Sequence, residues 1–172
     1  MAISLAADRP EWSLSASDLS EGALEVAAAN AAAILGPDRG AGSRPGGELA
    51  LTLSDLLESA LPRSEGEGIF DLIVANPPYV PSSEAEALLK LGWSEPMMAL
   101  DGGADGFDPI RRLVPQAARA LAPGGALLVE ADGEQAHAVV KLFRASRLTD
   151  IETICDLGGR PRVTSGRKPW TI

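Results

Sequence analysis

The sequence predicts an α/β protein, a doubly wound sheet finished by a C-terminal antiparallel hairpin. Three observations predict it. Two short apolar runs, at residues 72–75 and 126–129, are bounded by polar or turn residues, as strands covered on both faces are. The stretches between predicted strands carry apolar residues at helical spacing, so strands and helices alternate. Polar residues follow the strands one after another: Asp18, Asp55, Asn76 and Glu130. Ligands of an open α/β sheet gather beyond the carboxyl ends of its strands, where these four fall.

Each element has its own reason. Residues 2–8 form a short helix stopped by Arg9-Pro10, and residues 12–17 alternate with period two as a strand. Ser20 is placed to cap a helix whose inner face is Ala23, Leu24, Ala27, Ala28, Ala31, Ile34 and Leu35, with Gly36-Pro37 at its end. Residues 36–48, mostly Gly, Pro and charged residues, read as a mobile surface loop. Leu49, Leu51 and Leu53 alternate as a strand closed by Ser54-Asp55, then Leu56-Leu57 start a short helical turn. A polar loop over 62–68 leads to the strand at 70–75.

The excursion over 81–106 is partly helical, with one or two turns between Glu84 and Lys90, and Trp93, Met97 and Met98 are candidates to cover a pocket. Residues 101–106 are a turn region, since no strand runs into them as a phosphate loop requires. Asp108 caps the next helix with Pro109 at its first position; Ile110, Leu113, Val114, Ala117, Ala118 and Leu121 are its buried stripe and Pro115 bends it. Pro123-Gly124-Gly125 is the exit turn before the strand at 126–130. A helix follows from about Glu134 to Ser146, with Val139, Val140 and Phe143 inward. Segments 148–156 and 162–165 pair as a hairpin around Gly158-Gly159-Arg160-Pro161.

A length of 172 residues suits one domain with a real core. Hydrophobic residues make up 45% but aromatics only 4%, so that core must be aliphatic. The formal net charge of -9 argues against a nucleic-acid substrate, whose phosphates are held by Lys and Arg. Cys155 is the single cysteine, which excludes an intrachain disulfide and a cysteine-based metal cluster and is compatible with a reducing, cytoplasmic setting. No apolar run approaches the ~20 residues that span a bilayer, and there is no signal-peptide pattern at the start. His137 lies beside an apolar helix face and reads as structural or surface.

The chemistry concentrates at Asn76-Pro77-Pro78-Tyr79. The prolines donate no backbone hydrogen bond and bias the residue before each towards extended geometry. Asn76 offers one acceptor and two donors, and Tyr79 an aromatic wall and a hydroxyl. A planar amide or the amino group of a base fits such a turn, its N–H groups on the Asn76 oxygen and a proline carbonyl.

This motif after an apolar strand resembles that of methyltransferases acting on planar nitrogens, which include adenine and exocyclic-amino DNA methyltransferases and protein glutamine N5-methyltransferases. Nearly the whole chain resembles the peptide chain release factor glutamine methyltransferases. Asp18 with Leu-Ser-Glu-Gly-Ala-Leu and Asn30, Ser54-Asp55, Glu95-Pro96, Ala99-Leu100-Asp101-Gly102-Gly103, Gly124-Gly125, Glu130, Arg162-Val163 and Gly166-Arg167 match as well. The resemblance implies a Rossmann-like methyltransferase sheet and S-adenosylmethionine as cofactor. It implies that Asp18 binds the ribose hydroxyls and Asp55 reads the adenine amino group, with Leu19, Leu56 and Asn76 completing the cofactor contacts. Asn76, Pro77, Pro78 and Tyr79 would be the catalytic set on the substrate glutamine. Transfer would be direct, without metal or covalent intermediate.

One departure from the family pattern sets a structural expectation. The family's Asp-Leu-Gly-x-Gly-x-Gly stretch, a first strand and glycine turn, would precede Ala2-Ile3; Met1 stands at its last position. The chain therefore reads as a single catalytic domain over 1–172, N-terminally incomplete. The Asp18 strand and the Asn76 strand should be left with a gap between them or paired differently, and cofactor binding should be weak. Two other readings stand beside the main one: a nucleic-acid amino methyltransferase, which needs a basic groove beside Asn76, and a non-catalytic fragment. Methylation of a ribosomal-protein glutamine shares the same chemistry.

Overall fold

The computed structural model describes residues 1–36, 47–62 and 68–170. They form α1 (Ala2–Asp8), β1 (Leu14–Asp18), α2 (Glu21–Leu35), β2 (Leu49–Leu53), β3 (Phe70–Ala75), α3 (Ser82–Lys90), α4 (Met97–Leu100), α5 (Asp108–Ala120), β4 (Leu121–Glu130), α6 (Ala136–Ala145), β5 (Thr149–Cys155) and β6 (Pro161–Arg167). The expected mobile loop falls largely on residues outside the described ones. Two compact units divide the chain at Ser59/Ala60.

The first unit, Met1–Ser59, holds a two-stranded sheet in which β1 and β2 run parallel, Leu14 opposite Leu49 and Asp18 opposite Leu53. The helix between them starts as its sequence dictates: the Ser20 hydroxyl accepts from the Ala23 amide at 3.2 Å, and Gly36 leaves the helix at φ +89°. Its inner face is a correction. Leu24, Ala27, Ala31 and Leu35 are only half-buried, Ala23, Ala28 and Ile34 are exposed, and no residue of α2 is buried. A two-stranded sheet is too narrow to cover a 15-residue helix.

The second unit, Ala60–Ile172, holds a four-stranded sheet of order β3-β4-β6-β5. β3 and β4 are parallel, β6 runs antiparallel to both β4 and β5, and β5 and β6 form the expected hairpin. The amphipathic stripe of α5 is realised in four of its six expected residues: Ile110, Leu113, Val114 and Ala117 are buried, with Ala120 beside them, whereas Ala118 is only half-buried and Leu121, though buried, already belongs to β4. The helix begins one residue earlier in its cap than expected, with Phe107 as N-cap and Asp108-Pro109 in the first turn, and it runs through Pro115. α6 packs against β5 and β6, and its Val139 and Phe143, like Leu127 and Val129 of β4, have no solvent exposure. Each such side chain contributes about 1.5–3 kcal/mol by leaving water. Gly166 of β6 lets this happen, because a Cβ there would lie 2.7 Å from the Phe143 ring.

The strand at 70–75 is the second correction. It was expected to be covered on both faces in the middle of a sheet. It lies instead at the edge of its sheet, only Ile73 is buried, and Leu72 and Val74 are more than a third exposed. Among the described residues no pairing joins β1 to β3. The Asp18 strand and the Asn76 strand belong to two separate sheets.

Candidate active site

Asn76 follows β3 directly. Its side chain is exposed and has no hydrogen-bond partner among the described residues, whereas Pro77 behind it is buried. A rigid, buried proline thus carries an unspent amide at the carboxyl end of a strand. Tyr79 is half-buried, and its hydroxyl donates to Glu130 Oε1 at 3.4 Å. β3 and β4 are in parallel register, Ala75 opposite Val129, so the residues that follow, Asn76 and Glu130, leave the sheet at the same end. Burial pushes the Tyr79 phenol above its ordinary value of 10.0, the Glu130 carboxylate adds to that, and Arg162 opposes it. The hydroxyl therefore keeps its proton and serves as a hydrogen-bond donor at neutral pH.

The backbone beyond the motif is tied down. Val80 donates to Leu100 O at 3.0 Å and accepts from Gly102 N at 2.8 Å; Ser82 N donates to Gly103 O at 2.9 Å. Asp101 Oδ1 accepts from the Ser82 hydroxyl at 2.7 Å and from Gly103 N at 2.8 Å, which holds its carboxyl below the usual range. On the other side Gln135 Nε2 donates to Tyr79 O and to Gly106 O, both at 3.0 Å. The loop at 101–106 is thus a backing for the motif rather than a generic turn. Sequence reasoning missed Gln135. Asp132-Gly133-Glu134-Gln135 is a capping box, with the Asp132 side chain accepting from Glu134 N and the Gln135 side chain accepting from Asp132 N, and that spacing was the available signal.

In the first unit, Asp18 ends β1. Its Oδ1 accepts from Ser20 N at 2.8 Å and its carbonyl from Ser54 N at 3.0 Å. The carboxylate is exposed, with a second oxygen that can accept. Asp55 and Leu56 follow β2 at the same end of this sheet; Leu56 has φ +52° and its carbonyl accepts from the Ser17 hydroxyl at 2.8 Å. Leu19, between Asp18 and the helix cap, is exposed. Two acids at neighbouring strand ends fit the hydroxyls and amino group of a nucleoside.

Other expected features resolve differently. Of the residues expected to cover a pocket, Trp93 and Met98 are more than half exposed and Met97 is half-buried. His137 is exposed, as expected of a surface residue. Among the described residues no cluster of acids, histidines and cysteines is arranged to hold a metal, and no helix is long and apolar enough to cross a membrane.

The architecture is that of methyltransferases, which superpose on the chain with TM-scores of 0.50–0.58 at 15–19% identity. One of them, the release factor-specific protein-(glutamine-N5) methyltransferase of Alicyclobacillus acidocaldarius, has a TM-score of 0.50 and 19% identity over 98% of this chain and 90% of its own. No family model matches the chain. Relatives do. The release factor glutamine methyltransferase of Cereibacter sphaeroides is 41% identical over 170 residues, 98% of this chain and 56% of that protein. That of Bradyrhizobium diazoefficiens is 52% identical over 103 residues, 59% of this chain and 35% of that protein. By sequence the chain is similar, over nearly its whole length, to release factor glutamine methyltransferases. It spans about half the length, or less, of the curated relatives it matches.

Proposed function

We propose that this protein transfers a methyl group from S-adenosylmethionine to the side-chain amide nitrogen of a glutamine in a peptide chain release factor, in the cytoplasm. The two units make up one catalytic domain in this reading. The observation that carries it is the exposed Asn76 amide, without a hydrogen-bond partner among the described residues and held on a buried proline at the carboxyl end of β3, in a chain similar over 98% of its length to a release factor glutamine methyltransferase.

When bound, the cofactor supplies an electrophilic methyl group on a sulfonium. Asp18 would hold its ribose hydroxyls and Asp55 its adenine amino group, with Leu19 and Leu56 beside them. The remaining chemistry belongs to Asn76-Pro77-Pro78-Tyr79. An amide nitrogen is a poor nucleophile because its lone pair is delocalised. The Asn76 side-chain oxygen and the Pro77 carbonyl would accept its two N–H groups, orienting the nitrogen and favouring the charge that develops on it. The Tyr79 ring would lie along the amide plane. Pro78 keeps the turn extended and leaves its carbonyl outside any ladder.

Mass spectrometry after incubation with a release factor and S-adenosylmethionine tests this. A single methyl group on a glutamine side chain, absent with Asn76→Ala, is the expected result. Methylation of adenine in nucleic acid, or cofactor binding with no glutamine product, would overturn it.

A further inference from the structure

The structure assigns a positioning role to Gln135, an inference that rests on the reading of residues 76–79 as the substrate grip. Gln135 closes the 3-10 turn Gly133–Gln135 that follows β4. Both N–H groups of its carboxamide are committed, to Tyr79 O and Gly106 O at 3.0 Å each, and its oxygen accepts from Asp132 N at 3.2 Å. The chemistry fixes the orientation of the amide: two carbonyls at one end accept only from N–H, and an amide N–H at the other requires oxygen.

The Tyr79 carbonyl is the last one of the motif. The next residue, Val80, spends both backbone groups on the 100–102 segment. Gln135 therefore completes the clamp on the exit of the turn from its opposite side. Gly106 makes the approach possible: it has φ +71°, and a Cβ there would lie 2.4 Å from Tyr79 O and 2.9 Å from Gln135 Nε2. Three segments far apart in sequence, at 79, 106 and 135, meet at one carboxamide. Gln135 touches no substrate. It acts through Tyr79, setting the direction in which the Asn76 side chain and the proline carbonyls are presented.

Gln135→Glu is the informative substitution, because it keeps the shape and the acceptor while removing both donors. Displacement of a grip by about 1 Å costs on the order of 10²-fold in rate. The variant should lose about that factor in kcat for the glutamine substrate, with KM for S-adenosylmethionine unchanged. Its activity relative to the parent should rise as pH falls, because a protonated carboxyl regains one donor. Amide exchange of Val80 and Gly102 should quicken at least about tenfold, and that of Leu127 and Val129 should stay as in the parent. Gly106→Ala, which wedges the same junction from the other side, should give the same pattern.

Unchanged exchange at Val80 and Gly102, an equal rise at Leu127 and Val129, or an unchanged kcat in an active protein would each overturn the role. Should the parent methylate no glutamine, the functional reading falls, and the exchange result alone then decides whether Gln135 holds the turn.

Discussion

In the second unit, α5 and α6 lay Ile110, Val114, Val139 and Phe143 on a four-stranded sheet and leave none of them exposed to solvent. In the first unit, α1 and α2 accompany a two-stranded parallel sheet, and among the described residues only Ala6, Leu49 and Ser54 are buried. The same α/β grammar thus yields a packed core in one region and a thin one in the other. Sheet width makes the difference. A two-stranded sheet, parallel at that, is marginal without further strands, whereas four strands offer a helix a surface wide enough to close over. The residues proposed as nucleoside ligands, Asp18 and Asp55, stand on the thin unit, and the turn proposed to hold the substrate, Asn76-Pro77-Pro78-Tyr79, stands on the packed one.

This contrast can be broken at its strongest point. Phe143→Ala should cost about 3–5 kcal/mol, read as a lower denaturation midpoint of the second unit. Equal loss from Leu49→Ala in the first unit would mean that the two cores are comparable after all. Asn76→Ala should lower glutamine methylation by about 10²–10³-fold, the scale for losing one preorganised polar group. It should leave the denaturation midpoint in place, since the side chain is exposed and bonds to nothing among the described residues.

Ligand protection sharpens the comparison further. At about 100 times its Kd, S-adenosylmethionine should stabilise by about 2.7 kcal/mol, and amide exchange in β1 and β2 should slow accordingly. The slowing should vanish in Asp18→Ala. Smaller still, Ser20→Ala should cost about 1 kcal/mol and speed exchange at the start of α2, leaving α5 untouched.

The smallest effect is a titration. Tyr79 is the only tyrosine in the chain, so phenolate absorbance reports it alone. Its midpoint should lie above 10.0 and move down in Glu130→Gln. With the folded value raised, the stabilisation tied to the protonated phenol is present in full below pH 10.0 and is lost as pH rises through the folded midpoint. A midpoint at or below 10.0 would separate Tyr79 from Glu130.

Residue order alone determined a good deal. The alternation of strand and helix, the Ser20 cap, the apolar stripe of α5 and the C-terminal hairpin follow from periodicity and from where Gly, Pro and Ser fall, because those signals are local. The positions of Asp18, Asp55 and Asn76 after strands were legible for the same reason. Burial was not. The run at 72–75 has the composition of an enclosed strand, but composition records what a segment can tolerate rather than what lies beside it, and β3 is an edge. Nor could the sequence show that the carboxamide of Gln135 reaches the carbonyls of Tyr79 and Gly106. Those contacts join residues 29 and 56 positions apart, and only the packing of β4 beside β3 brings them within hydrogen-bond distance.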